Sequence, residues 1–257
     1  MFILKKFSWS EFDTMKSCCK SLQHQPDDFK KIHAIRVSLK KINSVFQLAG
    51  FISGEQFALP GSLQKIFKKS GGLRELQVFL CKIFYYKVTN LEFAELAVAT
   101  QKSIRISAKK FSRLLIKIKM KKASAELEDS FYRIKNCDMG ILLNQYENWK
   151  KNMLPISIDR KNPESSLHQL RRSIKNLMYI HQALHSDASP DEERNKLNQV
   201  QEMLGKWHDD FTYLRFLEKN KITGKNILQI RKNLKTEQKK IIFLLRIDAD
   251  ENIPFAL

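Results

Sequence analysis

Proline and glycine are scarce, with six and eight residues in a chain of 257. Sandwiches and barrels of short strands need turn residues about every 8–12 positions, so this scarcity argues against an all-β fold. No alternating apolar run bounded by turn chemistry occurs. The nearest, KIFYYKV at 82–88, continues a helical pattern from Leu73. Long apolar runs are also missing. IIFLL at 241–245 falls far short of the ~20 residues that cross a bilayer, so no membrane insertion is expected. The opening MFILKKFSWSEF reaches Lys5 and Lys6 without an apolar signal-peptide core. The four cysteines, Cys18, Cys19, Cys81 and Cys137, form no CxxC pair or Cys/His cluster. They are expected to be reduced thiols of a cytoplasmic protein.

Several chemical signatures are absent. There is no GxxxxGK[ST] loop, no GxGxxG and no HExxH. The acids form no paired cluster to hold Mg²⁺ against phosphates. Glu126 and Glu128 in AELEDS lack the following Lys of the ExExK motif of tunnel triphosphatases. No metal, cofactor or catalytic residue is therefore expected. Helix-turn-helix, zinc-finger and RNP signatures are missing. The aromatic residues follow helical core spacing rather than interleaving with basic ones, which argues against a base-stacking platform.

Negative charge is the most telling shortage. There are 27 Asp and Glu against 46 Lys and Arg, a net charge of +19. Such an excess repels itself in a compact fold and attracts polyanions. At 43% apolar residues, the chain still has ample material for a core.

The periodicity predicts an all-α protein, with helices near 9–24, 28–49, 62–87, 91–121, 124–150, 164–185, 191–218 and 225–247. Pro26-Asp27-Asp28 marks a helix start, and FISGEQFALPG at 51–61 is read as a loop. Gly71-Gly72 is expected to kink or break its helix. SDASPDEE at 186–193 reads as a turn. LPISIDRKNPESS at 154–166 reads as the linker, dividing the chain into regions 1–154 and 155–257.

Two segments repeat across that boundary. KIHAIRVSLKKI contains His33, Arg36 and Lys40, and SSLHQLRRSIKNLMY contains His168, Arg171 and Lys175. Both read H-x-x-R-x-x-x-K, offset by 135 residues at all three positions. Downstream, GGLRELQVFL carries Gly71, Arg74 and Glu75, and GKWHDDFTYL carries Gly205, His208 and Asp209. The intervals from motif His to motif Gly are 38 and 37 residues. The same order at nearly the same interval points to a tandem duplication. At about 100° per residue, offsets of 3 and 7 place Arg and Lys within about 60° of the His on one helix face. A single such triplet suits a solvated face as readily as a ligand site; the duplication favours the site. His208 and Asp209, adjacent on a helix, diverge by about 100° and do not form an acid–base pair with each other. Glu75 and Asp209 are instead expected to orient basic side chains of the motif helices.

A further basic stretch, 102–122, holds nine Lys or Arg and no acid. Arg105, Lys109, Arg113 and Lys117 recur every fourth residue as a stripe. Such stripes are as often solvated, snorkelling faces as ligand contacts.

The duplicated motifs resemble those of the CHAD domain, the conserved histidine α-helical domain. HAIRVSLKK and LHQLRRSIKNLMY resemble its two signature helices, and GLRELQV and LGKWHDD its two G-x-x-R/N-D segments. The resemblance runs from about residue 10 to about 246. It implies two pseudo-symmetric helical bundles with a basic groove or channel between them, and non-enzymatic binding of inorganic polyphosphate. Carried over by position, His33, Arg36, Lys40, His168, Arg171 and Lys175 are its ligand contacts. Arg172, Lys41 and the stripe Arg105, Lys109, Arg113 and Lys117 are added as further contacts, with Arg74, Glu75 and Asp209 orienting them. Glu75 replaces the family's usual Asp, and Asn43 and Met178 stand where a further basic residue is often found. Two alternatives stay open. One is a phosphohydrolase or phosphotransferase acting on polyphosphate or nucleotides; the other is a nucleic-acid binder. Cytoplasmic placement is expected, with association with polyphosphate granules left open.

Overall fold

The computed structural model describes residues 1–86, 91–134, 138–153, 162–185, 192–222 and 225–250. Among the described residues there are nine α-helices and no strand: α1 (Phe2–Ser21), α2 (Phe29–Ser53), α3 (Gly61–Tyr85), α4 (Leu91–Lys117), α5 (Met120–Tyr132), α6 (Met139–Met153), α7 (Pro163–Leu184), α8 (Glu192–Lys219) and α9 (Lys225–Asp250). The all-α expectation holds. Residues 154–161 of the expected linker at 154–166, residues 186–191 of the expected turn at 186–193, and Cys137 lie outside the described residues.

The chain divides into two compact units, Met1–Trp149 and Lys150–Leu257. In the first, α1 packs on α2, α2 on α3, and α3 on α4 and α5. α2 buries Ile32, Ile35, Leu39, Ile42 and Phe46, a spacing of three and four that makes one apolar stripe. Phe12 and Met15 of α1, Leu63 and Ile66 of α3 and Phe111 of α4 are also buried. In the second unit α7 packs on α8 and α8 on α9. Leu170, Ile174 and Leu177 of α7, Leu204, Trp207 and Tyr213 of α8, and Ile230 and Leu234 of α9 are buried there. Each such aliphatic side chain contributes about 1.5–3 kcal/mol on burial.

The motif helices begin with side-chain caps. Asp28 accepts a hydrogen bond from the Lys31 backbone N–H at 3.0 Å, and Asn162 accepts one from Ser165 at 3.3 Å, with Pro163 at the first helical position. Glu126 of α5 tethers the start of α3, accepting from the Ser62 N–H at 3.0 Å and its hydroxyl at 3.1 Å. That bond gives Glu126 a structural role.

Five local expectations are corrected. α1 begins at Phe2, earlier than expected. α2 runs to Ser53, where Gly54 at φ +72° ends it in the left-handed region, so the loop spans only 54–60. α3 continues unbroken through Gly71-Gly72, because α3 is held by its neighbours on several sides and packing outweighs the weak helix propensity of glycine. The expected helix 91–121 stops at Lys117, where Lys119 is extended. α4 buries Ile104, Ala108, Phe111 and Leu115. A straight continuation would carry Lys119 and Lys122 inward; the break resets the phase so that Ala123, Leu127 and Phe131 are buried instead. Likewise the expected helix 124–150 is two helices, α5 and α6.

Candidate functional site

Each unit contains one pair of helices that carries one occurrence of the recurring motif: α2 with α3, and α7 with α8. The apolar stripe of each motif helix sets where its polar residues fall. On α2, His33 is exposed while Arg36 and Lys40 are half-buried beside the core positions. On α7, His168 is exposed, Arg171 and Lys175 are half-buried, and Arg172 is exposed.

In the first unit Arg36 reaches from α2 onto α3. Its Nη1 donates to the Phe67 carbonyl at 2.9 Å, and its guanidinium lies over the Phe67 ring at 4.6 Å. The close approach requires Gly71, since a Cβ there would stand 2.9 Å from Arg36 Nη1. The motif glycine is therefore a packing requirement, not a hinge. Arg74, one turn further along α3, lies 3.7 Å over the Phe29 ring of α2. Burial lowers the Arg36 pKa, the Arg74 charge lowers it further, and Glu75 acts in the opposite direction. The guanidinium still stays charged at any physiological pH.

In the second unit Arg171 stands beside Gly205, whose Cβ position is 4.0 Å from Arg171 Nη2 and 3.3 Å from Gln201 Nε2. Burial lowers the Arg171 pKa, while Asp209 and then Tyr179 raise it. Its Nε is buried without a hydrogen-bond partner. Lys175 is pushed down to about 8 by burial and then by Arg171, with Asp209 opposing. His168 faces His208 of α8 with the two Nδ1 atoms 3.4 Å apart and ring centroids 4.7 Å apart.

The two arrangements share a logic. Arg36 and Arg74 accompany Glu75; Arg171 and Lys175 accompany Asp209. In each set a half-buried motif arginine has a second cation and one carboxylate among its electrostatic neighbours. Partial burial of a guanidinium beside a second cation is the electrostatic setting that an anionic oxygen relieves.

The other residues singled out from the sequence fall elsewhere. Lys41 is 14% exposed and paired to Glu11 at 2.7 Å, with Ser38 donating to the same carboxylate at 2.7 Å. Its charge is thus already met within the fold. Arg105, Lys109, Arg113 and Lys117 are exposed along α4. Cys18 and Cys19 are free and buried; burial and its neighbour Cys18 push the Cys19 thiol up to about 12, which makes it inert. Sequence reasoning missed the aromatic supports, Phe67 and Phe29, and the pairing of His208 with His168. The Gly-to-His208 spacing was legible, but nothing in the sequence said which way that ring turns.

The CHAD domain family model matches residues 10–218. That span ends short of the expected 246, leaving α9 outside it. Among solved structures, the CHAD domain of the plant Ricinus communis is similar at a TM-score of 0.65 and 15% identity, covering 98% of this chain and 92% of that one. PptA from Streptomyces chartreusis is similar at a TM-score of 0.59 and 10% identity, covering 96% and 98%. A search of the curated proteins gives no significant match. With the family model spanning most of its length and the two motif sets in place, this chain belongs to the CHAD domain family.

Proposed function

We propose that this protein binds inorganic polyphosphate without transforming it, through the half-buried cations of its two motif sets. The observation that carries this reading is the pair of half-buried motif arginines set against motif glycines, Arg36 beside Gly71 and Arg171 beside Gly205, each with a second cation and a carboxylate as electrostatic neighbours. Membership of the CHAD family and the net charge of +19 support it. The ligand is then a flexible polyanion that is nearly all phosphate. Arg36 and Arg171 fork onto phosphate oxygens through the N–H donors that internal bonds leave over. Lys40 and Lys175 act as point charges, and His33 and His168 donate from the exposed rim. The exposed stripe Arg105, Lys109, Arg113 and Lys117 draws the chain in from solution by a long-range, salt-screened field.

Two experiments separate this reading from its rivals. In a competition at matched phosphate and salt, long-chain polyphosphate displaces labelled DNA and RNA; nucleic acid winning at every salt sinks the proposal. Incubation of polyphosphate or nucleotides with Mg²⁺ or Mn²⁺ releases no phosphate; release that depends on His33 or His168 makes the protein a hydrolase instead.

A further inference from the structure

The first unit contains a cleft lined by no residue of either motif set. It lies where the α4–α5 junction faces the C-terminal half of α1, and its volume is about 620 Å³, within the range of sites that hold small organic ligands. The chain accounts for its place. α1 packs on α2 and is tied to α5 by the Lys5–Glu128 ion pair. Further along α1 the facing chain leaves α4 at Lys117 and enters α5 at Met120. There it presents an interrupted helix rather than a continuous packing face.

The two walls differ in character. The junction supplies Leu115, Ile116, Ile118 and Met120. Ile116 is 65% exposed, so this apolar wall is left open to solvent. α1 supplies Asp13, Lys16 and Lys20, at offsets of 3 and 7 that put them on one helix face. Lys16 and Lys20 are exposed, and their ammonium groups form no ion pair among the described residues. Cys19 also lines the cleft. Burial pushes its thiol up to about 12, so it is part of the wall and not a nucleophile.

An apolar wall beside a cationic one selects the chemistry of a ligand. Polyphosphate has no apolar part to set against the junction. A neutral hydrocarbon leaves the lysines unused. Asp13 on the same rim disfavours a second negative charge, so a monoanionic head fits better than a phosphate dianion. We propose that this cleft binds a single-chain amphiphile of the fatty-acid type. Its alkyl chain lies against Ile116, Ile118 and Met120, and its carboxylate meets Lys16 and Lys20. The site is independent of the motif sets, and its test needs no polyphosphate.

That test is calorimetric titration of the full chain with dodecanoate below its micelle threshold, at about 0.3 M salt to screen non-specific attraction. Circular dichroism checks that each variant is folded. One dodecanoate per chain is expected. Acetate has the head without the tail, and dodecyltrimethylammonium has the tail with the opposite charge; neither gives comparable heat. Ile116→Asp puts a charge on the apolar wall at an exposed position and lowers dodecanoate affinity about tenfold or more. Lys16→Gln with Lys20→Gln lowers it roughly three- to tenfold. Lys235→Gln with Lys239→Gln removes the same charge from exposed positions of α9 and leaves it unchanged. Absence of wild-type binding, comparable binding of dodecyltrimethylammonium, equal loss in the α9 variant, or affinity that survives both cleft variants overturns the proposal.

Discussion

The α2–α3 pair and the α7–α8 pair solve one problem with different residues. Both set a motif arginine against a motif glycine, and both bring a second cation near it. The first pair holds its cations on aromatic faces, with Arg36 on Phe67 and Arg74 on Phe29. Neither guanidinium can shed its proton. The second pair uses Lys175, whose pKa is pushed down to about 8, and a facing pair of imidazoles. The first site is thus fixed in charge and built into its helix packing. The second is adjustable, and its charge answers to pH and to what is bound. A repeated motif can keep its arginine–glycine contact while the residues around it differ in proton chemistry.

The largest expected effect comes from removing the second pair's charge. Arg171→Gln with Lys175→Gln lowers polyphosphate affinity by at least about a hundredfold, since each charge-assisted hydrogen bond contributes about 1.5–3 kcal/mol. Arg36→Gln also weakens binding, but it further destabilises the fold by about 1–3 kcal/mol through the lost Phe67 contacts. Binding isotherms beside thermal melts distinguish the two; equal melting losses at both sites would erase the contrast drawn above.

Proton linkage sharpens it next. Lys175 has a folded pKa below its unfolded value of 10.5. Its burial therefore opposes folding fully below about pH 8 and ceases to do so as pH rises through 8 to 10.5. Lys175→Met accordingly raises the melting temperature at pH 7. A bound polyanion favours the charged amine, so affinity drops roughly tenfold between pH 7 and 9.5, with proton uptake on binding above pH 8. Lys175→Arg flattens that profile. A wild-type affinity unchanged over this range would remove Lys175 from the site.

A smaller effect separates the glycines. Ala is favoured over Gly inside a helix by about 1 kcal/mol. Gly205→Ala realises most of that gain, because its nearest neighbour is a movable Gln201 end at 3.3 Å. Gly71→Ala gains little, because its Cβ must push Arg36 Nη1 off the Phe67 carbonyl. Denaturant melts read the difference. The smallest effect is on the α4 stripe: Arg105→Gln with Lys109→Gln lowers affinity only slightly at physiological salt and more at low salt, because the stripe acts through a salt-screened field.

Much of this was legible in the sequence. The three-and-four spacing of Ile32, Ile35, Leu39 and Ile42 fixes both the helix and the side on which Arg36 and Lys40 fall. The repeated order of His, Arg, Lys and Gly singles out the two motif sets. What escaped depends on tertiary packing. The Gly71-Gly72 pair reads as a break by local propensity, yet the guanidinium of Arg36 needs the space beside Gly71. The interruption at Lys119 follows from matching two buried faces, which no local residue preference encodes. Lys41 sits on the motif helix with the right charge, but Glu11 of α1, 30 residues away in sequence, already takes it. Spacing places residues on a face and leaves open what the neighbouring helix brings to meet them.

The central claim is that the two half-buried motif arginines are anchors for polyphosphate. Its most direct test is a titration of long-chain polyphosphate into wild type and an Arg36→Gln/Arg171→Gln variant across a salt series. The account predicts wild-type affinity that falls linearly with salt on logarithmic axes, and a folded variant that binds more weakly at every salt with a shallower slope. Equal affinity and equal slope in the two proteins would contradict it.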